Sequence, residues 1–172
     1  IGIIGVAGRG GANTNGVAGE NIVALCDVDE NRLGKASDRF PDAKKYIDWR
    51  KMVDQKDLDA VVVSTADQVH ALCSIWAMNR DLSVYCEKPL AHSVYEARAV
   101  QEKYKEKRNR LSTQMGTQIH AGGNFRRVVE LIQSGAIGPV REAHATIGGN
   151  RGGGERPTDT PPIPAHLKWD LW

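Results

Sequence analysis

The sequence lacks long hydrophobic runs, and apolar segments such as Ala60–Val63 are far too short to cross a bilayer. It also lacks a strong charge of either sign, because 23 Lys and Arg face 21 Asp and Glu and leave a formal net charge of +2. A balance this close to neutral argues against a nucleic-acid or membrane partner. We therefore expect a small or polar molecule as the partner.

Cysteine is scarce as well, and three residues, an odd number, rule out a disulfide framework as the organising principle. Cys26, Cys73 and Cys86 have apolar neighbours and no C-x-x-C spacing, so we expect core thiols and no metal site. This cysteine usage favours a reducing compartment and a cytoplasmic location.

Neither an initiator methionine nor a targeting segment precedes Ile1, which already belongs to an apolar run. The sequence stops at Trp172 without a polar tail. We therefore expect a fragment whose natural start, and with it any signal peptide, is missing.

Short apolar runs of strand length alternate with segments of helical periodicity, which is typical of a parallel sheet covered by helices. The predicted strands are Ile1–Val6, Ile22–Cys26, Lys44–Tyr46, Ala60–Ser64, Ser83–Cys86 and Leu111–Met115. The predicted helices are a short one that ends near Ala18, and then Glu30–Phe40, Gln68–Arg80 and Ser93–Lys107. The pattern predicts an α/β fold with a doubly wound parallel sheet.

A glycine-rich turn, Gly5-Val6-Ala7-Gly8-Arg9-Gly10, directly follows the first predicted strand. Glycines there let the backbone turn tightly and approach a pyrophosphate, whose charge is met by amides at the next helix N-terminus. Ala7 stands where the G-x-G-x-x-G pattern has its second glycine, and Gly8 beside it offers room. Because such turns also occur without a ligand, the turn alone leaves nucleotide binding open.

Asp27 strengthens the nucleotide interpretation, since it ends the second predicted strand about 20 residues after the turn. A carboxylate at this place can accept hydrogen bonds from both hydroxyls of an adenosine ribose, and it repels a 2′-phosphate. The sequence therefore favours NAD(H) over NADP(H). Asp29 and Glu30 follow closely, and we expect them to cap the next helix.

A third motif, Glu87-Lys88-Pro89, follows the predicted strand Ser83–Cys86 at the sheet edge where open α/β sheets bind ligands. A lysine there can orient and polarise a substrate hydroxyl or carbonyl beside a nicotinamide. A Glu–Lys surface pair at a turn is an equally good interpretation of these residues alone.

The motifs occur together and in order, as the glycine turn, Ala24–Asp29, Ser64–His70 and Glu87–Pro89. This combination resembles the Gfo/Idh/MocA oxidoreductases, the family of glucose-fructose oxidoreductase and inositol dehydrogenase. Met115-Gly116-Thr117-Gln118 and the terminal Trp-Asp-Leu-Trp are similar to a bacterial branch of that family. The resemblance implies a Rossmann-type sheet, NAD as cofactor, and hydride transfer between NAD and a sugar or cyclitol-like substrate.

For individual residues, the resemblance implies that Lys88 lies by the nicotinamide and assists catalysis, and that a cis peptide bond precedes Pro89. Thr65 and His70 match a segment that borders the cofactor, with Ala66 in place of the usual proline. A capping or buried, fully bonded imidazole is an equally open role for His70. The expected cofactor contacts are Gly5, Val6, Ala7, Gly8, Arg9, Gly10, Asp27, Ser64, Thr65, His70, Glu87, Lys88 and Pro89.

Further along, an amphipathic helix over Asn124–Ser134 and a strand over Val140–Ile147 are predicted, followed by a Gly- and Pro-rich irregular loop. We therefore expect residues 1–117 to form the NAD(P)-binding domain and residues 118–172 to begin an α/β substrate domain that the fragment cannot complete.

Gln118 and His120 follow the ligand edge of the sheet and are candidates for substrate contact, whereas we expect a structural role for His144. The family's Asp and nearby His have no match in residues 120–172, so we expect them beyond the last residue. Trp169 and Trp172 either form a wall of a substrate cleft or pack against sequence that is absent here.

Two alternatives to a dehydrogenase stay open. One is a glycoside hydrolase of the same fold that retains NAD and oxidises its substrate transiently, and the other is a non-catalytic NAD-binding module. Net release of NADH separates a dehydrogenase from the hydrolase. We expect the full-length protein to be a homo-oligomer.

Overall fold

The structure is a computed structural model that describes residues 1–149, 154–155 and 158–172. Its strands are β1 Gly2–Ile4, β2 Ala24–Cys26, β3 Lys44–Tyr46, β4 Ala60–Val63, β5 Ser83–Glu87 and β6 Thr113–Gly116. Its helices are α1 Arg9–Gly16, α2 Glu30–Ser37, α3 Trp49–Met52, α4 Asp67–Asn79, α5 Val94–Lys107, α6 Gln118–Ala121 and α7 Gly123–Gln133, with a 3-10 helix over Trp169–Leu171.

The strands form one six-stranded sheet in the order β3-β2-β1-β4-β5-β6, and all of its pairs are parallel. The chain order reverses between β1 and β4, since β1 pairs with β2 on one side and β4 on the other. Open α/β sheets bind ligands at such a switch point, beyond the carboxyl ends of the strands. The predicted doubly wound α/β fold is confirmed.

The central strands are buried on both faces, as expected for a parallel sheet covered by helices. Alternate residues divide between two apolar clusters, with Val61 and Val63 of β4 in one and Val62 in the other. The first cluster includes Cys73, Ala77 and Met78 of α4, and the second includes Leu33 of α2. This two-sided burial explains why the strands read as continuous apolar runs.

Side chains cap the helices that frame the sheet. Asp29 accepts hydrogen bonds from the amides of Asn31 and Arg32 (3.0 and 3.1 Å), which confirms its predicted capping of α2. Ser93 accepts from the amide of Glu96 at the start of α5 (3.2 Å). Within the described residues, no helix combines the length and the apolar character that a membrane crossing requires.

Two compact units make up the described chain. The first contains Ile1–Gly116 together with Ile163–Trp172, and the second contains Thr117–Pro162. The domain limit that the sequence places near Thr117 stays a prediction.

In the second unit, α7 matches the helix predicted over Asn124–Ser134, but the strand predicted over Val140–Ile147 is wrong. A strand requires a partner for its backbone groups. Within the described ranges, residues 140–147 pair with no strand and are exposed. Part of the predicted Gly- and Pro-rich loop, residues 150–153 and 156–157, lies outside the described residues.

Candidate functional site

The glycine turn after β1 brings three chain segments into close approach. Gly5 has a φ of +83°, and a Cβ atom there would lie 2.5 Å from the carbonyl oxygen of Ser64. A Cβ at Gly10 would overlap the Gly5 carbonyl oxygen and lie 2.8 Å from its carbonyl carbon. Only glycine therefore allows α1 to pack this closely on the turn and on the end of β4.

Gly8 serves a different purpose, because open space surrounds it. Its φ is +56°, it is the N-cap residue of α1, and a Cβ there would meet nothing within 4 Å. The first amides of α1 are thus reached past Gly8 and Ala7 without obstruction, and helix N-terminal amides attract anions. The open space that the sequence analysis expected beside Ala7 is therefore present at Gly8.

Asp27 follows β2 and ties the second strand to the glycine turn. The amide of Val6 donates to its Oδ2 (3.0 Å), and the amide of Asp29 donates to its Oδ1 (3.0 Å). Each carboxylate oxygen offers two lone pairs, so both oxygens keep the capacity to accept another hydrogen bond. The side chain is half-buried and held in place at the cleft.

A cavity of about 470 Å³ lies at this point of the sheet, within the usual size of small-molecule sites. Six of the residues predicted to contact a cofactor line it, namely Gly5, Ala7, Arg9, Asp27, Ser64 and Thr65. Val28, Arg32, Trp49, Val69 and the C-terminal residues Leu167, Trp169, Leu171 and Trp172 line it as well. The predicted residues Val6, Gly8, Gly10, His70, Glu87, Lys88 and Pro89 do not belong to this lining.

Glu87 is a buried hydrogen-bond acceptor, with 4% of its surface exposed. Its Oε1 receives hydrogen bonds from Arg9 Nε (3.1 Å) and Asn13 Nδ2 (2.9 Å). Asn13 also donates to Ser64 Oγ (2.8 Å), so one network joins α1 to the ends of β4 and β5. Glu87 therefore ties α1 to the end of β5 and does not belong to the lining of the cavity.

His70 is buried as well, and its ring joins the loops that follow β4 and β5. Nδ1 lies 2.6 Å from the carbonyl oxygen of Pro89, and Nε2 lies 3.0 Å from that of Thr65. Each ring nitrogen thus lies within hydrogen-bond distance of a backbone carbonyl, and a contact of His70 with a cofactor stays a prediction. The position of His70 sets the spacing between the two loops.

Lys88 is exposed, directly after β5 at the carboxyl edge of the sheet. The peptide bond between Lys88 and Pro89 is cis, which confirms the expectation for this position. A cationic ammonium therefore stands at the same sheet edge as the glycine turn, two strands along from β1.

The predicted substrate residues Gln118 and His120 belong to α6, in the second unit. His120 is exposed and stacks on Phe125, with ring centroids 4.7 Å apart. His144 is also exposed and lies 3.0 Å from Glu142. The strand expected around His144 is wrong, because the described residues around it do not form one.

All three cysteines are free and buried, as the sequence predicted. Burial raises the pKa of the Cys86 thiol to about 11, an effect that the nearby Glu87 carboxylate reinforces. Burial likewise raises the pKa values of Cys26 and Cys73. These thiols belong to the core and not to the site.

A second cavity, of about 560 Å³, lies between α4, α5 and the sheet. Its walls are mostly apolar side chains, including Met78, Val84, Leu90 and Met115. Among the described residues, its lining contains no glycine and no carboxylate side chain, unlike that of the first cavity.

Sequence reasoning did not connect two sets of residues with the cofactor cavity, although it named Trp169 and Trp172 as candidates for the wall of a substrate cleft. Asn13 links Glu87 to Ser64, and the C-terminal segment contributes Leu167, Trp169, Leu171 and Trp172 to the cavity wall. No motif marks either set. The pair of tryptophans, Trp169 and Trp172, was the one available signal for the C-terminal residues.

Comparison with known proteins agrees with this geometry. Residues 1–115 match the family model GFO_IDH_MocA, described as an oxidoreductase family with an NAD-binding Rossmann fold. An inositol 2-dehydrogenase of Salmonella typhimurium is 30% identical over 131 residues, which cover 76% of this chain and 39% of that protein. The chain thus spans about 40% of the length of the curated relatives it matches.

Solved structures show the same fold. The myo-inositol 2-dehydrogenase of Lactobacillus plantarum superposes with a TM-score of 0.75 at 27% identity, over 80% of this chain and 41% of that one. The myo-inositol dehydrogenase of Lactobacillus casei, solved in complex with NAD(H) and myo-inositol, gives 0.73 at 27% identity, over 80% and 42%. The family and the NAD-type cofactor expected from the sequence are confirmed, and the chain belongs to the Gfo/Idh/MocA family of oxidoreductases.

Proposed function

We propose that this chain is the NAD-binding part of a dehydrogenase that moves hydride between a C–H bond of a polyhydroxylated substrate, a sugar or cyclitol, and NAD. One observation carries the proposal: the cavity at the β1/β4 switch point brings together the glycine turn, the N-terminus of α1 and the Asp27 carboxylate. These are the three elements that a dinucleotide requires for its diphosphate and its adenosine ribose.

The residues present fit the cofactor. The open space at Gly8 leaves the α1 amides accessible to a diphosphate, and Arg9 at the cavity wall adds a positive charge. Asp27, fixed by the amides of Val6 and Asp29, would accept the ribose hydroxyls through its remaining lone pairs. The same fixed carboxylate would repel a 2′-phosphate, which supports NAD(H) over NADP(H).

Lys88 is the residue we assign to the reacting end of the substrate. Its ammonium stands on the exposed edge after β5, where it would hold the substrate oxygen and stabilise negative charge that develops there. His70 joins Pro89 to Thr65 in the loop after β4, and Glu87 joins the end of β5 to Arg9, so both would hold the segment around Lys88 in position. Bound NAD supplies the hydride acceptor, the C4 atom of its nicotinamide.

The polyol substrate class is supported by the relatives, which are named as inositol dehydrogenases and include one solved with myo-inositol. A role for Gln118 and His120 in contacting that substrate stays a prediction. The cytoplasmic location and the homo-oligomeric state of the full-length protein stay predictions as well. The three buried free thiols support a reducing compartment.

The Lys88→Met variant of the full-length protein tests the assignment, with NADH formation followed on a panel of inositols and sugars. We expect turnover to fall by at least about a hundredfold, the usual contribution of one positioned acid–base group. Affinity for NADH should change little, because Lys88 does not line the cavity. Lys105→Met, an exposed lysine on α5 paired with Glu102, is the matched control.

Three results would overturn parts of the proposal. Unchanged turnover in Lys88→Met would remove the role of that lysine. Substrate cleavage without net NADH would indicate the hydrolase, and binding of NADH without turnover of any polyol would favour a binding module.

A further inference from the structure

The C-terminal segment His166–Trp172 is bound to the edge of the cofactor cavity by backbone hydrogen bonds. The amide of Lys168 donates to the carbonyl of Val28 (2.9 Å), and the amide of Glu30 donates to the carbonyl of His166 (2.9 Å). Leu167 and Asp29 form an antiparallel bridge between these two bonds. The segment is therefore paired with the chain that directly follows the ribose-binding position Asp27.

Side chains also hold this segment, through ion pairs near the start of α2 and a hydrogen bond at Trp172. Lys168 Nζ lies 3.1 Å from Glu30 Oε2, and His166 Nε2 lies 3.8 Å from Asp29 Oδ2. At the far end, Gln68 Nε2 on α4 donates to the carbonyl oxygen of Trp172 (3.4 Å). The segment thus runs from the start of α2 to the start of α4, across the mouth of the cavity.

Two indole rings stand on this segment. Trp169 and Trp172 are stacked, with centroids 5.0 Å apart and planes inclined by 18°. Both line the cavity, yet 51% and 53% of their surfaces are exposed. Large aromatic surfaces left open beside a polar cavity are typical of a ligand site that takes a flat, apolar ring.

The position of the rings identifies which part of a dinucleotide they would meet. The diphosphate belongs at the glycine turn and the ribose at Asp27, so the base attached to that ribose continues outward past Val28. Val28 is the residue whose carbonyl holds the C-terminal segment, and it lines the cavity together with Arg32 and Val69. The adenine ring is the flat group that reaches this place.

We propose that His166–Trp172 is a cofactor-binding element in which the Trp169–Trp172 pair forms an aromatic wall over the adenine of NAD. This inference rests on the proposed function, since it assumes that the adenosine half of a dinucleotide lies at Asp27. It assigns to the C-terminal segment a contribution to affinity for the adenosine half, independent of the nicotinamide.

The test measures binding of ADP-ribose, which carries the adenosine half without the nicotinamide, by titration calorimetry to the full chain. Stacking of a base on an aromatic side chain contributes on the order of tenfold in affinity or more. We expect the double variant Trp169→Ala/Trp172→Ala to bind ADP-ribose at least about tenfold more weakly. Trp169→Phe/Trp172→Phe, which keeps two stacked rings, should remain within about threefold of the wild type.

Tyr95→Ala is the matched control, because Tyr95 is an exposed aromatic side chain on α5 that lines neither cavity. Thermal unfolding of each variant shows whether a loss of binding reflects loss of fold. If the alanine variant fails to fold, the phenylalanine pair and the single variants decide. An affinity equal to that of the wild type in folded single alanine variants overturns the inference.

Failure of the proposed function gives a different result. If the wild-type chain binds neither ADP-ribose nor NADH, the dinucleotide assignment of the cavity is wrong. If the wild type binds both and the folded tryptophan variants bind equally well, only the role of the C-terminal segment is wrong. The two failures are therefore distinguished by the wild-type titration alone.

Discussion

Replacement of Gly10 by alanine is the sharpest test of how α1 meets the glycine turn. An added Cβ would overlap the carbonyl oxygen of Gly5, lie 2.8 Å from its carbonyl carbon, and lie 3.2 Å from the Ser64 Cβ. Cβ atoms essentially never approach other heavy atoms closer than 3.0 Å. Because the obstacle is backbone, no side-chain rotation relieves the overlap, and α1 has to move away from β1 and β4.

The cost follows from the kind of overlap. Excess volume in a packed site usually costs 1–3 kcal/mol, and a backbone obstacle places Gly10→Ala at the upper end, about 3 kcal/mol. At roughly 2–4 °C per kcal/mol for a chain of this size, the melting temperature should fall by about 6–12 °C. The displaced α1 amides should also weaken binding of ADP-ribose, measured by calorimetry below the melting temperature.

Gly16→Ala is the control for this substitution. Gly16 ends the same helix, and a Cβ there would meet nothing within 4 Å. Alanine in a helix is favoured over glycine by up to about 1 kcal/mol, so this variant should be as stable as the wild type or more stable. If Gly10→Ala unfolds at the same temperature as Gly16→Ala and binds ADP-ribose normally, the close-approach reasoning is refuted.

Three further predictions concern the Asp27 carboxylate, the acid-sensitive helix cap Asp48 and the buried thiols. Asp27→Ser should weaken NADH binding more than NADPH binding, because it removes the carboxylate that favours ribose hydroxyls over a 2′-phosphate; equal losses in parallel titrations would contradict the assignment. The Arg50 side chain, which donates to Asp48, lowers the pKa of that carboxyl below 3.8. The ion pair therefore stabilises the fold fully at pH values above the ordinary aspartate pKa, and this stabilisation is lost as the pH falls through the lowered pKa of the folded state. Asp48→Asn, which keeps a capping oxygen, should cost less than about 1 kcal/mol in urea unfolding at neutral pH and nothing once the pH is below the folded-state value; a cost that is unchanged in acid would refute the charge explanation. Burial, which raises the pKa of Cys86 to about 11, should protect the thiols from a water-soluble disulfide reagent at neutral pH until the protein is unfolded in urea; rapid labelling of the folded chain would show that the core opens.

Much of the candidate site could be predicted from the sequence, because its chemistry depends on local patterns. The site depends on short local motifs, whose residue types indicate the backbone conformation they adopt. They are the glycine turn, Asp27 at the end of β2 and the Glu-Lys-Pro turn after β5. The strand predicted over Val140–Ile147 failed for the opposite reason. Alternating apolar residues indicate that one side of a strand could be buried. A strand also needs a neighbouring strand for its backbone hydrogen bonds, and no local pattern shows whether one is present.

Roles that depend on distant residues could not be predicted in the same way. The sequence made Glu87 and His70 candidates for cofactor contact. In the structure both side chains are buried, and each makes hydrogen bonds that join separate segments of the chain. Trp169 was expected in a substrate cleft or against absent sequence, and it lines the cavity beside Asp27. Whether a polar side chain faces the ligand or supports the loop beneath depends on which segments meet.

The sequence by itself determined the order of strands and helices, the glycine turn and the carboxylate that follows the second strand, since hydrophobic period and backbone freedom act over a few neighbouring residues. Only the tertiary structure decided which of the polar residues at the sheet edge face the cavity, and that the last residues of the chain return to its mouth. Those outcomes depend on contacts between residues such as Asn13 and Glu87, or Val28 and Lys168, which are far apart in sequence. Such contacts form only when the folded sheet and helices bring their segments together, so no local pattern encodes them.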